Sequence, residues 1–153
     1  MYQQFFTNNK QSIVVSKRIL YTPSSFARSL LLYLQEIGEL KAKRSHTSSH
    51  SNLASFLFFT VVSGVGRLKY GGKEYSLSPD SMVFIDCHNP YSHITDPDNL
   101  WTLRWVHFYG TTLPFIYNKN CERSGIPVFT PEDSASFFLC GKIYTPPLAL
   151  LTI

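Results

Sequence analysis

Disulfide frameworks, metal-ligand spacings and membrane-length apolar runs are all missing from this 153-residue chain. Its three cysteines, Cys87, Cys121 and Cys140, are odd in number, widely spaced and free of any C-x-x-C pair. That excludes a disulfide-stapled scaffold and fits a reducing compartment. No His-x-His pair occurs, and no Asp or Glu lies between Glu39 and Glu74. His46 and His50 stand in a Ser/Thr-rich stretch that argues for a loop, and His88 and His93 flank Pro90. The five histidines therefore read as single core or surface groups, and neither a metal site nor a cofactor is expected. Nothing resembles a nucleophile elbow, and Ser63-Gly64 reads as a strand-end turn. No carboxylate pair sits in an apolar frame, and Gly64-x-Gly66 opens no helix, so it is a poor phosphate loop. Catalysis is not expected. Apolar runs such as Phe56–Val62 are too short to span a bilayer, and MYQQFFTNNK lacks the pattern of a signal peptide. The expected setting is the cytoplasm, with no membrane partner.

Hydrophobic residues make up 44% of the chain and aromatics 15%, enough for one self-sufficient core at this length. The net charge of +4 is uneven. Residues 1–50 carry seven Lys/Arg against two Asp/Glu, and the remainder seven against eight. This basic third reads as a solvated face, since no aromatic alternates with Lys41, Lys43 and Arg44 as a single-strand groove would want.

Along the chain, residues 1–29 are polar and irregular and read as a loose arm, with a Thr-Pro-Ser-Ser turn at 22–25. Residues 30–34, LLLYL, fit either a strand or a short helix. Ser45–Asn52 reads as a loop, and Phe56–Val62 as a strand covered on both faces. Gly71-Gly72 predicts a two-residue primed turn that pairs Leu68 with Tyr75 on one face and Lys69 with Glu74 on the other. Met82–Asp86 is a short strand, and His88–His93 a loop broken by Pro90. Residues 101–108 form a strand carrying Trp101, Leu103, Trp105 and His107 on one face. After Pro114 the pattern weakens, and Pro131-Glu132-Asp133 looks like a helix start. Short strands without intervening helices indicate an all-β sandwich or barrel.

Such a barrel can hold a small molecule in a mainly apolar, aromatic cavity with a few placed polar groups. Trp101, Trp105 and His107 on one strand face, with Tyr91, His93 and Arg44, are the candidate lining. The two tryptophans would serve equally well as core filling.

The stretch 56–109 then resembles the cupin-like N-terminal domain of AraC-type bacterial transcription regulators. The similar pieces are the apolar strand into Ser63-Gly64-Val65-Gly66, the Gly71-Gly72 hairpin, Ile85-Asp86-Cys87, and Leu100–Phe108 with its Trp-Val-His-Phe. Pro23-Ser24 and Gly38 also fit, so the similarity covers roughly 22–130. The resemblance implies a cupin-like, jelly-roll antiparallel β-barrel with a short C-terminal helical segment. It implies a small-molecule effector, a sugar or related metabolite, faced by Arg44 and Trp105, with Tyr91 and His93 on a loop at the site. It also implies a homodimer and a C-terminal helix-turn-helix domain that reads DNA. Tyr91 and His93 stand in swapped order relative to the family, His50 replaces a frequent Arg, and Pro79 replaces a Gly before the turn aspartate. The implied division is an arm at 1–29, the barrel at 30–130, and a helical segment at 131–153 leading to a truncated linker, the DNA-binding domain being absent. The alternatives are a metal-dependent cupin enzyme and a barrel that only dimerises.

Overall fold

The computed structural model describes residues 1–8 and 10–131. Among the described residues, eleven strands and two helices follow one another: β1 (Tyr2–Thr7), β2 (Val14–Tyr21), α1 (Ser25–Leu30), β3 (Tyr33–Ala42), β4 (Thr47–His50), β5 (Phe56–Ser63), β6 (Gly66–Tyr70), β7 (Lys73–Leu77), β8 (Met82–Asp86), β9 (Tyr91–Thr95), β10 (Thr102–Tyr109), α2 (Leu113–Ser124) and β11 (Val128–Phe129). They form a seven-stranded sheet, β1-β2-β3-β10-β5-β8-β11, and a four-stranded sheet, β4-β9-β6-β7. Every pairing is antiparallel. The larger sheet has three more strands than the smaller one that faces it. This is the expected all-β, cupin-like barrel.

The core lies between the sheets. Leu57, Phe59, Val61, Val83 and Ile85 meet Leu68 and Leu77, all essentially sealed from water. A second cluster covers the outer face of the large sheet. There Phe56 packs with Phe84, Phe108 and Tyr109 beneath Leu113 and Tyr117 of α2. The Tyr117 hydroxyl meets that of Tyr70 at 3.0 Å, tying the helix to the small sheet. The β6–β7 hairpin has the predicted register, with Leu68 opposite Tyr75 and Lys69 opposite Glu74. Gly71 and Gly72 lie at φ +58° and +74°, the conformation that a primed turn demands at both central positions.

Four expectations need correction. The first 29 residues are not a loose arm. β1 and β2 form a hairpin held by cross-strand contacts, including Arg18 over the Phe5 ring at 5.3 Å and Lys17 over Phe6 at 5.9 Å. The turn at 22–25 supplies Ser24, whose hydroxyl caps α1 by accepting from the Ala27 N–H at 3.2 Å. The stretch read as loop at 45–52 contains β4, and the loop read at 88–93 gives way to β9 from Tyr91 onward. The weak pattern after Pro114 hides α2, which begins with that proline in its first turn and ends at Gly125, φ +65°. The helix start read at residues 131–133 and the apolar tail after it lie outside the described residues, apart from Pro131 itself.

Candidate functional site

Paired residues in antiparallel strands share a face, so the inner surface of the large sheet can be followed row by row. One row runs Phe5, Arg18, Gly38, Trp105, Phe59, Val83. The next runs Leu20, Glu36, His107, Leu57, Ile85. Opposite them, the small sheet presents Ser48, His93, Leu68 and Tyr75 in one row and His50, Tyr91 and Tyr70 in another. The β5/β8 half of this space is apolar and closely buried. The half bounded by β2, β3, β10, β4 and β9 is polar, and Glu36, Trp105, His107, Ser48 and His93 are only half-buried there.

Gly38 sets the geometry of this half. A Cβ at that position would stand 2.3 Å from Cζ2 of Trp105, so the indole lies flat on the bare backbone of β3. Its N–H donates to Glu36 Oε1 at 3.0 Å. The other Glu36 oxygen lies 4.0 Å from an Arg18 guanidinium nitrogen, longer than a hydrogen bond. His107 Nδ1 is 3.0 Å from the Ser55 hydroxyl. His93 is packed by the rings of Phe59 (6.0 Å), Trp101 (5.8 Å) and His50 (6.4 Å). Its Nδ1 is sealed from solvent without a hydrogen-bond partner among the described residues. The same holds for the Trp101 indole nitrogen. Buried polar atoms are rarely left so, because each unmade bond costs about 1–3 kcal/mol.

Burial decides the charge states. It pushes His93 and His107 down to about 4, with the neighbouring imidazoles adding to the effect, so both are neutral at neutral pH. Burial also pushes the Cys87 thiol up to about 11 and the Tyr91 phenol well above its ordinary range. Both histidines bind protons less readily folded than unfolded, where the ordinary value is about 6.5. Stability should therefore fall as pH drops through the window from about 6.5 to 4. Unfolding free energies at pH 7 and pH 5 should differ by roughly 4 kcal/mol, about 2 kcal/mol from each ring, and His93→Gln should about halve that difference. A flat profile would contradict the burial of both rings.

Of the six residues expected to line the site, four gather here: Trp105, His107, Tyr91 and His93. Trp101 adjoins them as buried floor. It is 0% exposed and lies against Gly66, where a Cβ would stand 2.2 Å from its ring. Arg44 is exposed in the turn after β3, beyond Ala42, which itself lies six residues or roughly 20 Å along the strand from Glu36. The arginine that faces the polar half is Arg18. Sequence reasoning also missed Glu36, His50 and Ser48. The one usable signal was the alternation Glu36-x-Gly38-x-Leu40. Beyond His50 and Tyr91, an open depression of about 770 Å³ runs to the Gly71–Gly72 tip. It shares those two rings with the site but not Trp105. Among the described residues, no group of three or more His, Cys, Asp or Glu is arranged to hold a metal ion, and no helix is long and apolar enough to cross a membrane.

Residues 34–134 match the model of the AraC-like ligand binding domain. Among solved structures, the AraC-like transcriptional activator CuxR is 10% identical, with a TM-score of 0.56 over 99% of this chain and 53% of its own. The Schizosaccharomyces pombe Cnp3 cupin domain is 15% identical, with a TM-score of 0.51 over 78% of this chain and 77% of its own. At such identities the likeness concerns the fold. Among curated proteins, none matches this chain.

Proposed function

The chain belongs to the AraC-like ligand-binding domains, and on that premise we propose that it is the effector-sensing module of a cytoplasmic transcription regulator. A sugar or related metabolite lodges in the polar half of the inter-sheet space, against Trp105, His93, Tyr91 and His107. Trp101 forms the floor beneath it, and Glu36, Arg18 and His50 ring it. The module controls DNA binding by a helix-turn-helix domain C-terminal to the barrel, and it works as a homodimer. The barrel proper is residues 30–130, with 1–29 as its extension and 131–153 as the link onward.

One observation carries this reading. A half-buried indole lies on Gly38 with its N–H fixed by Glu36, and it neighbours Phe59, whose ring packs on His93, where a sealed ring nitrogen is satisfied by no described residue. A flat aromatic face suits the C–H face of a sugar ring, and fixed donors and acceptors around it suit hydroxyls. The test is a thermal-shift screen of sugars and small metabolites. A true effector at a hundredfold over its Kd adds about 2.7 kcal/mol. For a domain of this size that raises Tm by about 5–10 °C. A broad screen in which no compound shifts the melting point would defeat the proposal.

A further inference from the structure

We infer that the guest of this hollow carries a carboxylate, held by Arg18 and the imidazoles of His50, His93 and His107, and that it binds together with a proton. The inference rests on reading the hollow as the effector site. It starts from a census of the groups that face it, element by element. β2 supplies Arg18, β3 supplies Glu36, and β4 supplies His50 with His46 just before it. β5 supplies no titratable group, β6 supplies Tyr70, β7 supplies Tyr75, β9 supplies Tyr91 and His93, and β10 supplies His107. Cys87, between β8 and β9, completes the wall. The acidic candidates Cys87 and Tyr91 stay protonated, since burial holds both above their ordinary range. Glu36 is the only anion in the census, and Trp105 and Arg18 already face it. Five basic groups thus share this half of the inter-sheet space with one carboxylate.

The guanidinium has donors to spare. The carboxylate facing it, Glu36, stands at 4.0 Å, longer than a hydrogen bond, and the arginine side chain is 47% exposed. Deeper in, His93 has a ring nitrogen without a partner among the described residues. A neutral guest with hydroxyls could accept single hydrogen bonds from Arg18 and satisfy His93, but it would leave the guanidinium charge uncompensated. A carboxylate fits the planar fork of a guanidinium with two parallel hydrogen bonds. Its second consequence follows from linkage. His93 and His107 are neutral because burial disfavours their charged forms. An anion within hydrogen-bond reach favours the imidazolium and brings such a ring back toward its ordinary range. The complex then holds a proton that the free protein lacks, so affinity rises as pH falls.

The experiment is isothermal titration of the whole chain with two panels at pH 5.5 and 7.5, in buffers of low and high ionisation enthalpy. The acids are gluconate, galactarate and citrate, and the neutral counterparts are glucose, galactitol and sorbitol. The expected result is an acid that binds about tenfold tighter at pH 5.5 than at 7.5, with net proton uptake. Arg18→Gln should weaken that acid at least tenfold at both pH values, and His93→Gln should flatten the pH dependence while the variant still melts cooperatively. Binding of neutral polyols alone, or of an acid whose affinity ignores pH and Arg18, overturns the inference and leaves the effector site standing. Silence from both panels overturns the inference. If the broader metabolite screen is silent as well, the effector reading falls with it.

Discussion

Replacing Trp101 by alanine should remove about 3–5 kcal/mol of stability, a large fraction of what a domain of this size possesses. Trp101 is fully buried, and three separate features are shaped around it. Gly66 leaves its ring lying on the bare backbone of β6, and Gly64 turns the chain at φ +75° directly beside its Cα. Its carbonyl accepts the Ala42 N–H at 3.0 Å, which fastens the end of β3 to the start of β10. Removal leaves a cavity that two glycines cannot fill. Trp101→Phe should cost markedly less, because it keeps most of the volume and discards an indole N–H that has no partner among the described residues. Urea midpoints of the two variants check this, and an alanine variant as stable as the parent would show that the ring is not part of the core.

Trp105→Ala should behave in the opposite way. It should cost less stability, because the ring is only half-buried, lying over Gly38 at the margin of the core. Its effect should fall on binding. A central aromatic that contributes most of the flat contact area is the kind of residue whose truncation costs about 2 kcal/mol or more, roughly thirtyfold in Kd. The same change also leaves Glu36 without its indole donor. A compound that stabilises the parent should therefore hardly stabilise the variant at the same concentration. Gly38→Ala offers a control that leaves both tryptophans in the chain. Its new methyl group must push the Trp105 ring off β3, and binding should weaken without loss of a polar group.

These contrasts explain what was legible in the sequence. The hairpin at Gly71–Gly72 was readable because its two faces obey separate rules, apolar inside and oppositely charged outside. The face of β10 was readable because alternation over 101–107 puts both tryptophans on one side. β4, by contrast, reads Thr-Ser-Ser-His and has no apolar residue at all. Its inner positions, Ser48 and His50, face the polar half of the inter-sheet space, so the usual alternation is absent. β9 fails to declare itself likewise, since its inward residues are Tyr91, His93 and Thr95. The hairpin of β1 and β2 is stabilised by pairs across strands rather than by burial, and every residue of β1 is exposed. Arg18 and Glu36 reach the site through register between strands distant in sequence. Local reasoning therefore chose Arg44, the basic residue nearest in the family pattern, over the one that faces inward.

Acrylamide quenching of tryptophan emission, with and without a compound that raises the melting point, tests the hollow most directly. The chain has two tryptophans, one sealed and one half-buried in the polar half of the barrel. The free protein should show one shielded and one quenchable population, and the compound should protect the quenchable one. Emission that is wholly shielded from the start, or a quenchable fraction that the compound leaves unchanged, would contradict a guest seated against Trp105.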